Sequence, residues 1–244
     1  MTTKTHFLGI WCICMALTGN AQTNSSLQTQ LQLLQKPSET EFSLDSSGYS
    51  TIKNAKFFTK SGDTDVFDIK SQNIHLVDFN NDGFNDIIYN EERLHQATVL
   101  LVNKGNDFVE IWNGPGALVD VKQGKETTIY VRTNSIGCFP YVMLFELTIK
   151  NDNSFTQSTI GYHSDTEVKN VTMIPEKQQL SGILRTQPLV DDEKKKDPCT
   201  GDAMIGNQIR TLNNETVAIL KKQDNWLLVI YKNNNTGLLS WIKN

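Results

Sequence analysis

The tightest constraint in this chain is one nine-residue segment, Asp78-Phe79-Asn80-Asn81-Asp82-Gly83-Phe84-Asn85-Asp86, set between two apolar, β-branched runs. Oxygen-bearing side chains fall at its positions 1, 3, 5 and 9, and Gly83 sits at position 6. Carboxylates converging on one point repel each other unless a cation lies between them. Calcium is a hard cation that takes six to eight oxygens at about 2.3–2.6 Å. A loop of this length surrounds such an ion when alternate side chains turn inward. Gly83 permits the sharp turn and frees the Phe84 carbonyl as a further donor. The candidate ligands of one Ca²⁺ are therefore Asp78, Asn80, Asp82, Phe84 (through its carbonyl) and Asp86. The competing arrangement is an Asx-rich turn that closes its own hydrogen bonds.

What flanks the loop sets the fold class. The helix-flanked calcium loop of EF-hands needs a bidentate acid at position 12, where this chain has Tyr89. Here Ile74-His75-Leu76-Val77 precedes the loop and Ile87-Ile88-Tyr89 follows it, both strand-like. Further short β-branched or aromatic runs lie at 97–102, 108–112, 127–131 and 141–149, each bounded by Asn, Asp or Gly. No long stretch holds a 3.6-residue apolar period, so strands are expected. Lys104-Gly105-Asn106-Asp107 reads as a hairpin turn, and Asn151-Asp152-Asn153 has the same character. The expectation is an all-β, antiparallel chain.

The run Val77-Asp78-Phe79-Asn80-Asn81-Asp82-Gly83-Phe84-Asn85-Asp86-Ile87-Ile88 resembles the FG-GAP/VCBS repeat, the integrin-α-like calcium hairpin. Val99-Leu100-Leu101-Val102-Asn103-Lys104-Gly105-Asn106-Asp107-Phe108 resembles the second half of such a repeat. The resemblance implies direct ligation by Asp78, Asn80, Asp82 and Asp86 plus the Phe84 carbonyl. Family members carry several such loops in a β-propeller, whereas this chain has one; Asp63-Thr64-Asp65 and Asn151-Asp152-Asn153 do not make further copies. A partial-propeller or sandwich-like domain over 41–175 is the resulting expectation.

The start of the chain reads as an export signal. Lys4 and His6 precede the apolar run 7–17, and Gly19-Asn20-Ala21 supplies small residues for cleavage, giving a signal peptide at 1–21. The run is shorter than the roughly 20 residues of a spanning helix, and no later stretch is long enough to cross. Cys12 and Cys14 lack the small residues that precede a lipidated cysteine. The expected location is exported: periplasmic, cell-envelope or extracellular. Residues 1–21 hold one lysine and no acid, so the net charge of −4 becomes −5 on processing. That balance argues against nucleic acid as the main partner. Residues 22–40 read as a flexible, polar lead-in with a short helix near 27–34. Processing leaves Cys138 and Cys199, a candidate disulfide in an exported chain, with two separate buried thiols as the alternative.

Residues 176–244 resemble a bacterial Src-homology-3-like domain. Gly182-Ile183-Leu184-Arg185-Thr186-Gln187-Pro188 matches its first strand; Ile209, Leu212, Val217 and Leu220 fit two middle strands. Trp226-Leu227-Leu228-Val229-Ile230-Tyr231 fits the next strand, and Gly237-Leu238-Leu239-Ser240-Trp241-Ile242 the closing one, with Ser240 in place of a glycine. The resemblance implies a small barrel whose long first loop holds the charge run 191–197. A Cys138–Cys199 bond would then staple the two domains. Trp226, Tyr231 and Trp241 are candidates for a ligand groove, although each equally suits a core position. The family's usual partners, cell-wall peptides or other proteins, are what the resemblance implies.

Enzymes need a poised nucleophile, an acid–base pair or an open metal site. The chain has no G-x-S-x-G or H-E-x-x-H motif, and the histidines left after processing, His75, His95 and His163, share no metal-ligand spacing. The expectation is therefore no catalysis, and a binding, adhesion or interaction module whose partner is a protein or a cell-wall glycan or peptide. Two alternatives are a secreted hydrolase with carboxylates scattered along the chain and an exported inhibitor or immunity-type protein.

Overall fold

Strand follows strand through most of the chain, and neighbours in sequence are mostly neighbours in space. The computed structural model describes residues 18–35, 74–91, 96–168, 171, 176–197 and 199–244. The apolar run 7–17 with Cys12 and Cys14, the stretch 36–73 with Asp63 and Asp65, and His95 lie outside the described residues.

The first sheet is an antiparallel meander of β1 (Ile74–Val77), β2 (Asp86–Glu91), β3 (Ala97–Asn103) and β4 (Phe108–Pro115). The second meander is β5 (Ala117–Lys122), β6 (Thr127–Arg132), β7 (Tyr141–Ile149) and β8 (Phe155–His163), again antiparallel. The two lie face to face. Phe79, Ile88, Leu100, Val102 and Trp112 of the first meet Leu118, Ile129, Val131, Phe145, Leu147 and Ile149 of the second. Strand periodicity explains which residues take part, because successive side chains point to opposite faces. In β7, Phe145, Leu147 and Ile149 alternate onto this core; in β3, Leu100 and Val102 face it while Val99 and Leu101 are buried in a separate cluster. The continuous run Val99-Leu100-Leu101-Val102 is thus that of a strand covered on both faces. Truncating a fully buried member such as Leu147 to alanine costs roughly 2–5 kcal/mol.

The outer face of the second meander carries a second core. Val119, Tyr130, Leu144 and Ile160 meet Leu27, Leu31, Leu33 and Leu34 of α1 (Thr18–Gln35) and Leu228, Ile230, Leu239 and Trp241 from the C-terminal strands. Sequence reading expects a flexible lead-in with a short helix here. The structure instead has an 18-residue helix that begins before residue 22. The reason is spacing: Leu27, Leu31 and Leu34 recur at i, i+4 and i+7 and form one stripe. Gln30, between them, donates its side-chain amide to Glu146 at 2.8 Å and to Ser158 at 3.2 Å, fixing the helix across the sheet. Among the described residues no helix is long and apolar enough to cross a membrane.

Four C-terminal strands form a closed ring: β9 (Glu176–Arg185), β12 (Gln208–Gln223), β13 (Trp226–Asn233) and β14 (Thr236–Lys243). β9 pairs with β12, β12 with β13, β13 with β14, and β14 returns to β9 at Trp241 and Arg185. Leu184, Leu212, Val217, Ile219, Leu227, Val229 and Ile242 fill it. β12 serves two neighbours because it bends. Asn214 takes φ 58° at a register shift between Leu212 and Glu215, and Gly182 opposite takes φ 149°, which few L side chains adopt. A Cβ on Gly182 would also come within 3.2 Å of Ile242. β14 pairs in parallel with β8 through Thr236–Thr159 to Leu239–Tyr162, so one eight-stranded sheet runs across the boundary expected at 175. The fold is mostly β with antiparallel sheets, as the sequence leads one to expect.

Within the long connection from β9 to β12, β10 (Lys194–Lys196) and β11 (Ala203–Ile205) form a hairpin, so the charge run is ordered structure. Its anchor is Arg185. This buried guanidinium donates to the Asp191 carbonyl at 3.1 Å, to Asn207 Oδ1 at 2.8 Å and to Asp192 Oδ1 at 2.7 Å.

Candidate functional site

The loop between β1 and β2 is anchored at both ends and open in the middle. Phe79 is buried in the core between the meanders and Asp86 is fully buried, whereas residues 81–85 are exposed, Phe84 to 58%. Asn81 at φ 59° and Gly83 at φ 91° turn the backbone. Asp78 accepts the N–H of Asp82 (3.1 Å) on one oxygen and that of Gly83 (2.9 Å) on the other. Asn80 Oδ1 accepts the Asp82 N–H at 3.0 Å, and Asp82 Oδ1 accepts the Phe84 N–H at 2.9 Å. Asn80 Nδ2 reaches Asp82 Oδ2 at 2.8 Å.

Asp86 plays a different part. Its two oxygens accept the backbone N–H groups of Phe79 (3.1 Å) and Asn103 (2.9 Å), tying the loop to the end of β3. Burial pushes its carboxyl up to about 6. The hydrogen bonds from Asn103 and Phe79 oppose that shift, and the nearby Asp82 charge adds to it. Asn103 completes the tie by donating its side-chain amide to the Asn85 carbonyl at 3.1 Å.

The sequence-expected donors are thus brought into one loop. They are all oxygens, as a hard cation requires, and a carboxylate oxygen with one hydrogen bond keeps a lone pair for ligation. Among the described residues, however, no group of three or more His, Cys, Asp or Glu side chains is placed to hold a metal ion. The loop closes through Asx-type hydrogen bonds, with Asp86 turned to the backbone. Its fit to calcium is one of donor chemistry rather than of convergence.

Trp226, Tyr231 and Trp241 do not line one groove. They are 7%, 9% and 2% exposed. Alternation along β13 sends Trp226 with Leu228 and Ile230 into the core shared with α1, and Tyr231 with Leu227 and Val229 into the ring. Trp241 joins Trp226 in the first core. The Tyr231 hydroxyl donates to Glu215 at 3.0 Å, under the Arg210 guanidinium 4.6 Å from its ring.

Cys138 and Cys199 form a disulfide with Cα atoms 5.4 Å apart. It joins the loop between β6 and β7 to the connection that holds β10 and β11. Beside it lies a cleft of about 510 Å³, whose walls include Phe139, Tyr141, His163, Asp165, Asp191 and Met204. Sequence reading does not find this cleft, because its walls come from segments far apart in the chain. The one local signal is the aromatic pair Phe139-Pro140-Tyr141 directly after a bonded cysteine.

Comparison of the chain with protein-family models, with curated proteins and with solved structures finds no match in any of the three.

Proposed function

We propose that this chain is an exported β scaffold that binds a partner at the cell envelope or outside the cell, and that calcium stiffens its loop at 78–86. The observation that carries the calcium reading is the loop's set of oxygen donors, partly exposed Asp78, buried Asn80 and exposed Asp82, around a left-handed Gly83. Asp86 and the Phe84 carbonyl complete the donor set. Bound calcium would supply charge compensation there. The disulfide supports export, since such bonds persist in oxidising compartments.

Binding rather than catalysis is supported by how the chain uses its shifted groups. His75 is held beside Asn90, and Asp86 by two backbone N–H groups, so both serve the fold. The face-to-face meanders suit a two-blade propeller fragment or a sandwich, and the closed four-strand ring suits a Src-homology-3-like barrel.

Thermal unfolding with millimolar calcium and with EDTA tests the calcium reading. Ions that bind only the folded state raise the Tm by mass action, and extracellular modules bind calcium at roughly 10⁻⁴–10⁻³ M. A rise that disappears in Asp82→Ala supports the reading. Superimposable curves for the unsubstituted protein in calcium and EDTA would show the loop to be a turn only.

A further inference from the structure

The cleft beside the disulfide has the chemistry of a cation-binding site. Its aromatic wall is a chain of edge-to-face contacts: Phe139 to Tyr141 with centroids 6.0 Å apart, and Tyr141 to His163 at 5.4 Å and 84°. Phe139 is 46% exposed. The Asp165 N–H lies 3.2 Å from His163 Nδ1, and the Asp165 carboxylate lies 3.6 Å from the same nitrogen.

The lining is also acidic, with Asp165 beside His163 and Asp191 and Asp197 on the connection from β9 to β12. Lys195 is its one lysine or arginine among the described residues. Lys195 is already paired, with Asp191 at 3.0 Å and Glu193 at 3.2 Å. The Glu193 N–H and the Lys195 ammonium hold the Asp191 carboxyl below the ordinary carboxylate range. The N–H groups of Thr200 and Cys199 do the same for Asp197. Asp191 and Asp197 therefore stay ionised at neutral pH. Exposed Leu189 and Met204 add apolar surface at the rim.

Carboxylates lining a cleft together with an exposed Phe139 match a cation carried on an apolar stem, since ring faces attract cations and carboxylates pair with them. We infer that this cleft binds an extended protein segment bearing a lysine or arginine side chain flanked by apolar residues. The alkyl stem lies across Phe139 and Tyr141, and the charged head meets Asp165. The disulfide joins the loop that carries Phe139 to the connection that carries Asp191 and Asp197. This deepens the binding reading by naming a surface and a partner chemistry. It does not rest on calcium, so either proposal can fail alone.

The test is a heteronuclear NMR titration of the intact, oxidised protein with the synthetic peptide acetyl-Gly-Leu-Arg-Leu-Gly-amide and its Arg→Gln and Arg→Glu versions. The expected result is saturable shifts centred on Phe139, Tyr141, His163 and Met204 with the arginine peptide. Affinity should fall at least about fivefold with glutamine, and further with glutamate or in 0.5 M salt. Phe139→Ala and Asp165→Asn should each weaken binding about three- to tenfold, with the Tm of each variant confirming that it is folded. Equal affinity for the arginine and glutamine peptides, shifts centred elsewhere, or no shifts at millimolar peptide would each overturn the proposal. A calcium-independent Tm together with arginine-selective shifts would remove the calcium reading and leave this one standing.

Discussion

Asn80, in the loop at 78–86, donates its side-chain amide to Asn153 Oδ1 at 2.8 Å, bridging the loop to the turn between β7 and β8. The same amide bonds Asp82 Oδ2 at 2.8 Å. The loop is therefore braced against the second meander as well as against its own strand. Asn81 adds longer contacts to the Gly124 and Lys125 carbonyls in the turn before β6.

Asn153 itself sits at φ 68°, so two effects can be separated at this position. Asn153→Gly keeps the backbone conformation and removes the acceptor, which costs about 1 kcal/mol. Asn153→Ala removes the acceptor and adds left-handed strain of roughly 1–2 kcal/mol. Urea denaturation should rank the proteins unsubstituted, then glycine, then alanine in falling stability. Equal stability of the two variants would show that the backbone conformation is not what selects asparagine here.

Asp82 and Asp86 should separate metal binding from folding. In calcium-free buffer Asp86→Ala leaves two N–H groups, those of Phe79 and Asn103, without their acceptor in the interior, a loss of about 2–4 kcal/mol. Asp82 is exposed, and its bond to the Phe84 N–H is replaceable by water, so Asp82→Ala should cost less than about 1 kcal/mol. Adding calcium should then stabilise the unsubstituted protein and not Asp82→Ala. Denaturant midpoints with and without calcium measure both effects.

The Cys138–Cys199 bond spans 61 residues of sequence. Chain-entropy arithmetic for a loop of that length gives about 4 kcal/mol as the stabilisation from restricting the unfolded chain. The double variant Cys138→Ala/Cys199→Ala should lose between about 2 and 4 kcal/mol and keep its strand content by circular dichroism. Non-reducing peptide mapping of the unsubstituted protein should recover the cross-linked pair.

How much of this was readable in advance depends on the range of the interaction. The strands of 97–102, 127–131 and 141–149 are legible because short β-branched or aromatic runs bounded by Asn, Asp or Gly are a local pattern, and the Asp78 loop because its donors all fall within nine residues. The two cysteines left after processing read only as a candidate pair, with separate thiols as the alternative. The direction of Trp226 against Tyr231 was also written in the strand, since residues five apart point to opposite faces. The docking of α1, the parallel join of β14 to β8 and the cleft at Phe139 were not legible. Each depends on partners more than a hundred, or several tens, of residues away. Arg185 shows the same limit: its sequence neighbourhood reads as a strand end, whereas its partners Asp191, Asp192 and Asn207 come from the loop that it organises.

That organising role should survive poorly in Arg185→Lys. An ammonium keeps the charge but not the planar fork that reaches Asp192, Asn207 and the Asp191 carbonyl together. The expected loss is about 1–3 kcal/mol. Limited proteolysis should show faster cutting at residues 191–207, with little change elsewhere.

His75 sets a pH dependence whose sign follows from its neighbours. Asn90 Oδ1 accepts from Thr98 Oγ1 at 2.9 Å and from the Leu118 N–H at 3.2 Å, so its Nδ2 is the end that meets His75 Nε2 at 3.1 Å. Nε2 must therefore accept, and the folded ring is neutral. Burial lowers its pKa to about 4 from the model-peptide value of 6.5. Between those values the unfolded chain binds the proton and the folded chain does not, so this contribution is complete above about pH 6.5 and is lost as pH falls towards 4. The full loss is about 3 kcal/mol, at 1.36 kcal/mol per pKa unit. Asp86 acts in the opposite sense, because its folded pKa is raised to about 6 and acid relieves the cost of its buried charge. Comparison with His75→Gln isolates the histidine, since glutamine offers Asn90 an acceptor that does not titrate in this range. In calcium-free buffer the stability difference between the two proteins should shift in favour of His75→Gln as pH drops from 7 to 4.5; parallel stability profiles would mean that His75 is as easily protonated folded as unfolded.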